Sequence, residues 1–74
     1  MAINVDLIDE VRTKIQAELP AKYGHFVHEY EVAIKRPNYR EAFMVLMKIC
    51  KLSDWKPSES LNQLIGRFWH EVAE

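Results

Sequence analysis

The stretch YREAFMVLMKICKL, residues 39–52, decides how this chain folds. On a helix with about 3.6 residues per turn, its apolar side chains cover well over half of the circumference. They are Tyr39, Ala42, Phe43, Val45, Leu46, Met47, Ile49, Cys50 and Leu52. The strip left for water consists of Arg40, Glu41, Met44, Lys48 and Lys51. Because a helix with so wide an apolar arc is buried, we expect the rest of the chain to cover it.

Two amphipathic segments precede the 39–52 stretch. Residues 4–19 carry a single apolar stripe, and Asn4 is the expected N-cap of this first helix. A second helix is predicted over residues 21–36, between two prolines, with its start either at Pro20 or after Gly24. Asn38 follows the second proline and is expected to cap the central helix.

One amphipathic segment follows, over residues 58–73, and it has the clearest apolar stripe of the chain. Ser60 with Gln63 three positions later is typical of a capping box, and Ser58 is the alternative cap. Gly66 lies at the edge of the stripe beside two other small side chains, so this flank either receives another helix or merely tolerates glycine.

The fold class predicted from these segments is all-α, a small four-helix antiparallel bundle, because short connections make consecutive helices antiparallel neighbours. The chain has 74 residues, which leaves room for a single helical domain over residues 1–74. The alternative is an α+β fold in which residues 26–34 form a strand paired across a dimer. Their apolar residues also alternate with a period of two.

Charge is unevenly distributed along the chain. Residues 35–56 carry six basic and two acidic residues, whereas both flanking segments are acidic and the total is −1. Either the acidic helices neutralise the basic segment inside the bundle, or the segment forms a basic surface for an acidic partner.

The sequence contains no recognisable catalytic constellation, so we expect no enzyme and no catalytic residues. Cys50 lies on the apolar side of the central helix and is expected to be a buried thiol. His25, His28 and Glu29 share a polar helix face without a third ligand, so no metal and no cofactor is expected. A single cysteine, no visible signal peptide and no long apolar run predict a cytoplasmic protein that does not cross a membrane.

Residues 31–72 resemble ribbon–helix–helix repressors, with EVAIKRP as the strand, the 39–52 stretch as the first helix and SLNQLIGRFWHEV as the second. The resemblance implies a DNA-binding transcriptional regulator. The sequence departs from the pattern in a long turn between the helices and in acidic residues before the strand. Basic residues with Tyr39 and Trp55 nearby are also compatible with nucleic acid, although the net charge argues against it.

The function that we expect first is that of a regulator, inhibitor or adaptor that binds another protein, and the basic segment favours an acidic partner. The expected site is a basic and apolar surface on the 39–52 helix, because methionine and exposed aromatic side chains are enriched in interfaces. Its predicted residues are Arg40, Met44, Lys48, Lys51 and Trp55. A homodimer is a further expected partner arrangement, because self-association would support the small core of so short a chain.

Overall fold

Four α-helices joined by short connections account for most of residues 3–73, which are the residues that the computed structural model describes. They are α1 (Val5–Glu18), α2 (Gly24–Lys35), α3 (Tyr39–Cys50) and α4 (Glu59–Ala73). The all-α prediction is therefore confirmed, and each helix falls within a stretch that the apolar periodicity had indicated.

The start of α1 is fixed by Asn4, as expected. Its side chain accepts a hydrogen bond of 2.8 Å from the backbone N–H of Asp6. At the other end, Leu19 turns into extended backbone before Pro20, and its N–H donates the last helical bond to the carbonyl of Ile15. The proline ends the helix because the residue before it is disfavoured in helical geometry.

The second helix does not start directly at Pro20, which was one of its two predicted starts. A single 3₁₀ turn, Ala21–Tyr23, comes first, and the α-helix begins at Gly24. Residues 26–34 are helical throughout, so the strand alternative is wrong. The physical reason is that α2 buries Tyr30 and Ala33 on one side, a spacing of three that only a helix directs to the same core. The strand on which the ribbon–helix–helix resemblance depends is thus replaced by helix.

α3 is shorter at its end than the apolar pattern indicated. Asn38 caps its start, accepting from the N–H of Glu41 at 3.1 Å. At the other end, Lys51 and Leu52 leave the α-helix, and their N–H groups bond to carbonyls three residues back, those of Lys48 and Ile49. Tightening of the last turn satisfies carbonyls that an abrupt end would leave open.

The cap of α4 is Ser58, so the capping box predicted on Ser60 is wrong. The hydroxyl of Ser58 accepts from the N–H of Leu61 at 3.2 Å, and its carbonyl accepts from the N–H of Asn62 at 2.9 Å. Ser60 lies inside the first helical turn. The earlier start places Leu61 in the core as the first buried residue of the helix.

The helices form a ring in which each packs on the next and α4 packs on α1. α3 therefore packs directly on α2 and α4, and α1 lies diagonally across the core from it. The apolar arc of α3 thus faces α2, α4 and the shared core, to which α1 also contributes. Two hydrogen bonds show the antiparallel course of α1 and α4: Asn4 N–H donates to Glu71 Oε1 at 2.8 Å, and Ser58 N–H donates to Glu18 Oε1 at 3.2 Å.

The core inside the ring is apolar and is supplied by every helix. Among residues 3–73, the side-chain polar group in this core is the hydroxyl of Tyr30. It donates a hydrogen bond of 3.0 Å to the backbone carbonyl of Ile8 and so connects α2 to α1. Burial raises the pKa of Tyr30, because the ionised phenolate would lose its hydration. The phenol therefore stays protonated and keeps its hydrogen bond at physiological pH.

The Ser58 cap provides a test of the fold. Ser58→Ala removes the acceptor for the N–H of Leu61 and the 2.8 Å bond from its hydroxyl to Glu18. We expect the free energy of unfolding in urea to fall by about 1–2 kcal/mol. Ser60→Ala is the matched control and is expected to change it by less than about 0.5 kcal/mol. Equal losses in the two variants would contradict the assignment of the cap.

Candidate protein-binding surface

Four of the five predicted site residues share one exposed side of α3. Arg40, Met44, Lys48 and Lys51 are separated by four, four and three positions, which places them above one another on a helix. All four are exposed, and Met44 keeps 58% of its surface accessible. We call these four residues the α3 outer face.

Trp55, the fifth predicted residue, lies in the connection between α3 and α4. It is half-buried and packs against the apolar core. Its indole therefore already supports the fold of this chain, and only part of it is available to a partner. Its place in a binding surface stays a prediction.

Two ion pairs link α3 to α2 and to the residue that follows α2, and one of them uses Lys48 of the outer face. Lys48 Nζ lies 3.9 Å from Glu29 Oε1, and Arg36 Nη1 lies 3.5 Å from Glu41 Oε2. Both pairs are exposed, so each contributes at most a small fraction of the stability. The Lys48–Glu29 pair neutralises one base of the basic segment with an acid of a flanking helix, as one of the two charge interpretations expected, whereas Arg36 and Glu41 both belong to the basic segment.

Arg40 and Lys51 remain as the basic ends of the α3 outer face. Neither makes an ion pair with any residue in the described range 3–73. Met44, the exposed apolar group, lies between them along the helix. The outer face thus presents an apolar centre with a positive charge on each side.

A shallow groove of about 340 Å³ runs beside this face, between α2 and α3. His28, Val32, Met44 and Lys48 are among the residues that line it. Mixed apolar and charged walls of this kind suit a partner side chain better than an enclosed small molecule.

The opposite edge of α3 carries an aromatic pair that the sequence analysis did not assign to the surface. The rings of Phe43 and Trp69 lie 4.7 Å apart at an angle of 33°, and Trp69 is 48% exposed. Phe68 is fully buried in the core, whereas Trp69 lies at the border of the apolar stripe, where the sequence alone does not decide between core and surface.

Gly66 lies on the same exposed flank of α4. A Cβ atom added there would meet nothing within 4 Å. No helix of the described chain approaches Gly66, so its small size has no packing role among residues 3–73.

The connection between α3 and α4 is anchored to the start of α2 by Asp54. Its carboxylate accepts from Lys22 Nζ at 2.5 Å and from the Tyr23 hydroxyl at 2.6 Å. The hydrogen bond from Lys22, followed by that from Tyr23, lowers the pKa of Asp54. This clamp fixes the backbone next to Trp55 and the end of α3.

The reactive and metal-ligating groups of residues 3–73 are the remaining features to consider. Cys50 is half-buried, and burial raises the pKa of its thiol, which reduces its reactivity at neutral pH. Within residues 3–73 no three His, Cys, Asp or Glu side chains are grouped as metal ligands. None of the helices described has both the length and the apolar character that a membrane crossing requires.

Searches against protein-family models, curated proteins and solved structures find no match to this chain. The function is therefore argued from the chemistry and geometry of the surface.

The Asp54 clamp predicts a specific dependence on pH. The folded-state pKa of Asp54 is lowered, so its stabilisation is present above the unfolded pKa of about 4 and is lost as pH falls through the folded value. Asp54→Asn is expected to lower the thermal midpoint at pH 7, and the difference from the parent chain should shrink steadily below about pH 4.

Glu59→Gln is the control for the loss of one exposed carboxylate. Thermal melts of the three proteins between pH 2 and pH 7 make the comparison. A gap between parent and Asp54→Asn that stays constant down to pH 2 would show that the clamp does not depend on the charge of Asp54.

Proposed function

We propose that this protein is a non-enzymatic helical module that binds an acidic protein partner through the α3 outer face, as a regulator, inhibitor or adaptor. The observation that carries the proposal is the exposure of Met44 between Arg40 and Lys51. The single, half-buried thiol of Cys50 supports placing this activity in the cytoplasm.

The composition of the α3 outer face supports a protein partner. Methionine is flexible and polarisable, so Met44 adapts to an apolar surface without a fixed shape. Interfaces combine such apolar centres with a polar rim, in which arginine is enriched. Arg40 and Lys51 provide that rim, and their charge favours a partner that is acidic around an apolar contact.

The rigidity of α3 also supports the proposal. Its inner side is fixed by Ala42, Val45, Leu46 and Ile49, all buried in the core. A preformed helix loses little conformational freedom when it binds, so a small contact area is sufficient for a transient complex.

The aromatic pair Phe43–Trp69 extends the proposed surface toward α4. The pair is adjacent to the outer face, since Phe43 lies three positions after Arg40 and therefore beside it on the surface of α3. Tryptophan is prominent among residues that dominate binding energy. A partner that covers both Met44 and Trp69 would bury two of the large exposed apolar side chains of the molecule.

The test is affinity capture from the native host followed by mass spectrometry, with the recovered partner then titrated against purified variants. Lys48→Glu with Lys51→Glu should weaken binding by about 5- to 30-fold, since each reversed exposed charge costs about 0.5–1 kcal/mol. Met44→Ala should weaken it through lost apolar contact. Lys14→Glu with Arg67→Glu is the matched control, because it reverses two exposed charges on α1 and α4.

Circular dichroism establishes that all the variants keep their helices. A partner whose affinity is unchanged by both the charge reversal and Met44→Ala would overturn the assignment of the α3 outer face. Equal weakening by the control pair would show a response to net charge alone.

A further inference from the structure

The outward side of α1 has the opposite charge to the α3 outer face. Asp6, Asp9 and Glu10 are exposed there, beside Val5, which keeps 67% of its surface accessible. Thr13 continues the same side one turn further along. We call these five residues the α1 outer face.

The two outer faces lie on opposite sides of one molecule. α1 and α3 occupy diagonal positions of the four-helix ring, so their outward sides point away from each other. The described chain measures 34 × 23 × 19 Å along its principal axes, and the bundle thickness separates the faces. Contact between an α1 outer face and an α3 outer face therefore requires two copies of the chain.

The α1 outer face also has a shallow depression beside its acidic residues. A shallow groove of about 260 Å³ on α1 is lined by Asp9, Glu10, Thr13 and Lys14. Met44 projects from the middle of the α3 outer face. Helices pack by placing side chains of one into grooves of the other, and Met44 is a flexible side chain suited to this groove.

We propose that the α3 outer face of one copy binds the α1 outer face of a second copy, with Arg40 and Lys51 opposite the acidic residues and Met44 in the α1 groove. This inference rests on the surface named in the proposed function and identifies a second copy of the chain as an occupant of it.

The symmetry of this contact follows from the use of two different faces. An interface between unlike surfaces leaves one α1 face and one α3 face unoccupied in every dimer. Further copies therefore add head to tail until a ring closes or an open chain results.

Salt controls the attraction, because the groups involved are exposed. The screening length is about 30 Å at 10 mM salt and about 3 Å at 1 M. In sedimentation velocity runs at 10 mM salt, we expect the weight-average mass to rise with protein concentration. At 1 M salt it should return to the mass of a single chain.

Two blocked variants test the pairing directly. In the first, Arg40→Glu with Lys51→Glu reverses the α3 outer face and leaves α1 unchanged. In the second, Asp6→Lys with Asp9→Lys reverses the α1 outer face and leaves α3 unchanged. Each variant alone is expected to stay monomeric at low salt, since one of its two faces no longer binds.

Mixing the two blocked variants in equal amounts brings together the two unchanged faces, and the two reversed faces are also opposite in charge. The expected product is an alternating head-to-tail assembly of the two variants, which neither variant forms alone. Controls are Arg67→Glu, a reversed base on α4, and Glu59→Lys, a reversed acid in the first turn of α4. Both should assemble like the parent chain, and circular dichroism verifies that each variant is folded.

The parent chain remaining monomeric at low salt and high concentration would overturn the inference. So would a blocked variant that assembles by itself as the parent does, which would indicate an interface between like faces, or a mixture that stays monomeric. None of these results affects the proposed function, because the affinity of a separate partner for the α3 outer face is measured independently.

Discussion

The contact between α1 and α4 is the constraint on which the bundle depends. These helices come from the two ends of the described chain, and their packing closes the ring around the core. Without it, the buried stripes of both helices would be open to water. Hydrogen bonds at both ends of the pair, from Asn4 to Glu71 and from Ser58 to Glu18, hold the two helices in register. Closing so long a loop costs entropy, which the apolar burial along both helices offsets.

A core built from four short helices has limited capacity, and this explains the composition of the surface. Small domains bury a smaller fraction of their surface than large ones, so some large apolar side chains remain outside. Among residues 3–73, the large apolar side chains left exposed are those of Val5, Met44 and Trp69. They lie on different helices, which gives the molecule more than one apolar contact point for other macromolecules.

Much of the fold follows from the sequence because it depends on local patterns. Apolar spacing located all four helices, and Asn4 and Asn38 marked the starts of α1 and α3. The order of the helices around the ring could not be derived from the sequence. Which helices become neighbours depends on how side chains from distant segments pack. The cap of α4 was assigned to Ser60 because two serines compete within three positions, and only the position of Leu61 in the core decides between them.

The candidate surface was predictable in part for the same reason. The spacing of Arg40, Met44, Lys48 and Lys51 is a property of one helix, so their common face could be derived. Trp55 could not be placed, because its position depends on the clamp of Asp54 onto Lys22 and Tyr23, a contact between segments about thirty residues apart. The outward position of Trp69 depends likewise on its stacking with Phe43 from another helix.

The meeting of Asn4 with Glu71 also makes the architecture independent of where the polypeptide is cut. A short linker between residues 3 and 73, with new ends opened in the connection between α3 and α4, would preserve every helix pair of the ring. The α1–α4 pairing, now the longest-range contact in the chain, would become a hairpin between sequence neighbours. The α3–α4 contact would in turn span the length of the permuted chain, so such a circular permutant would close the same ring through a different helix pair.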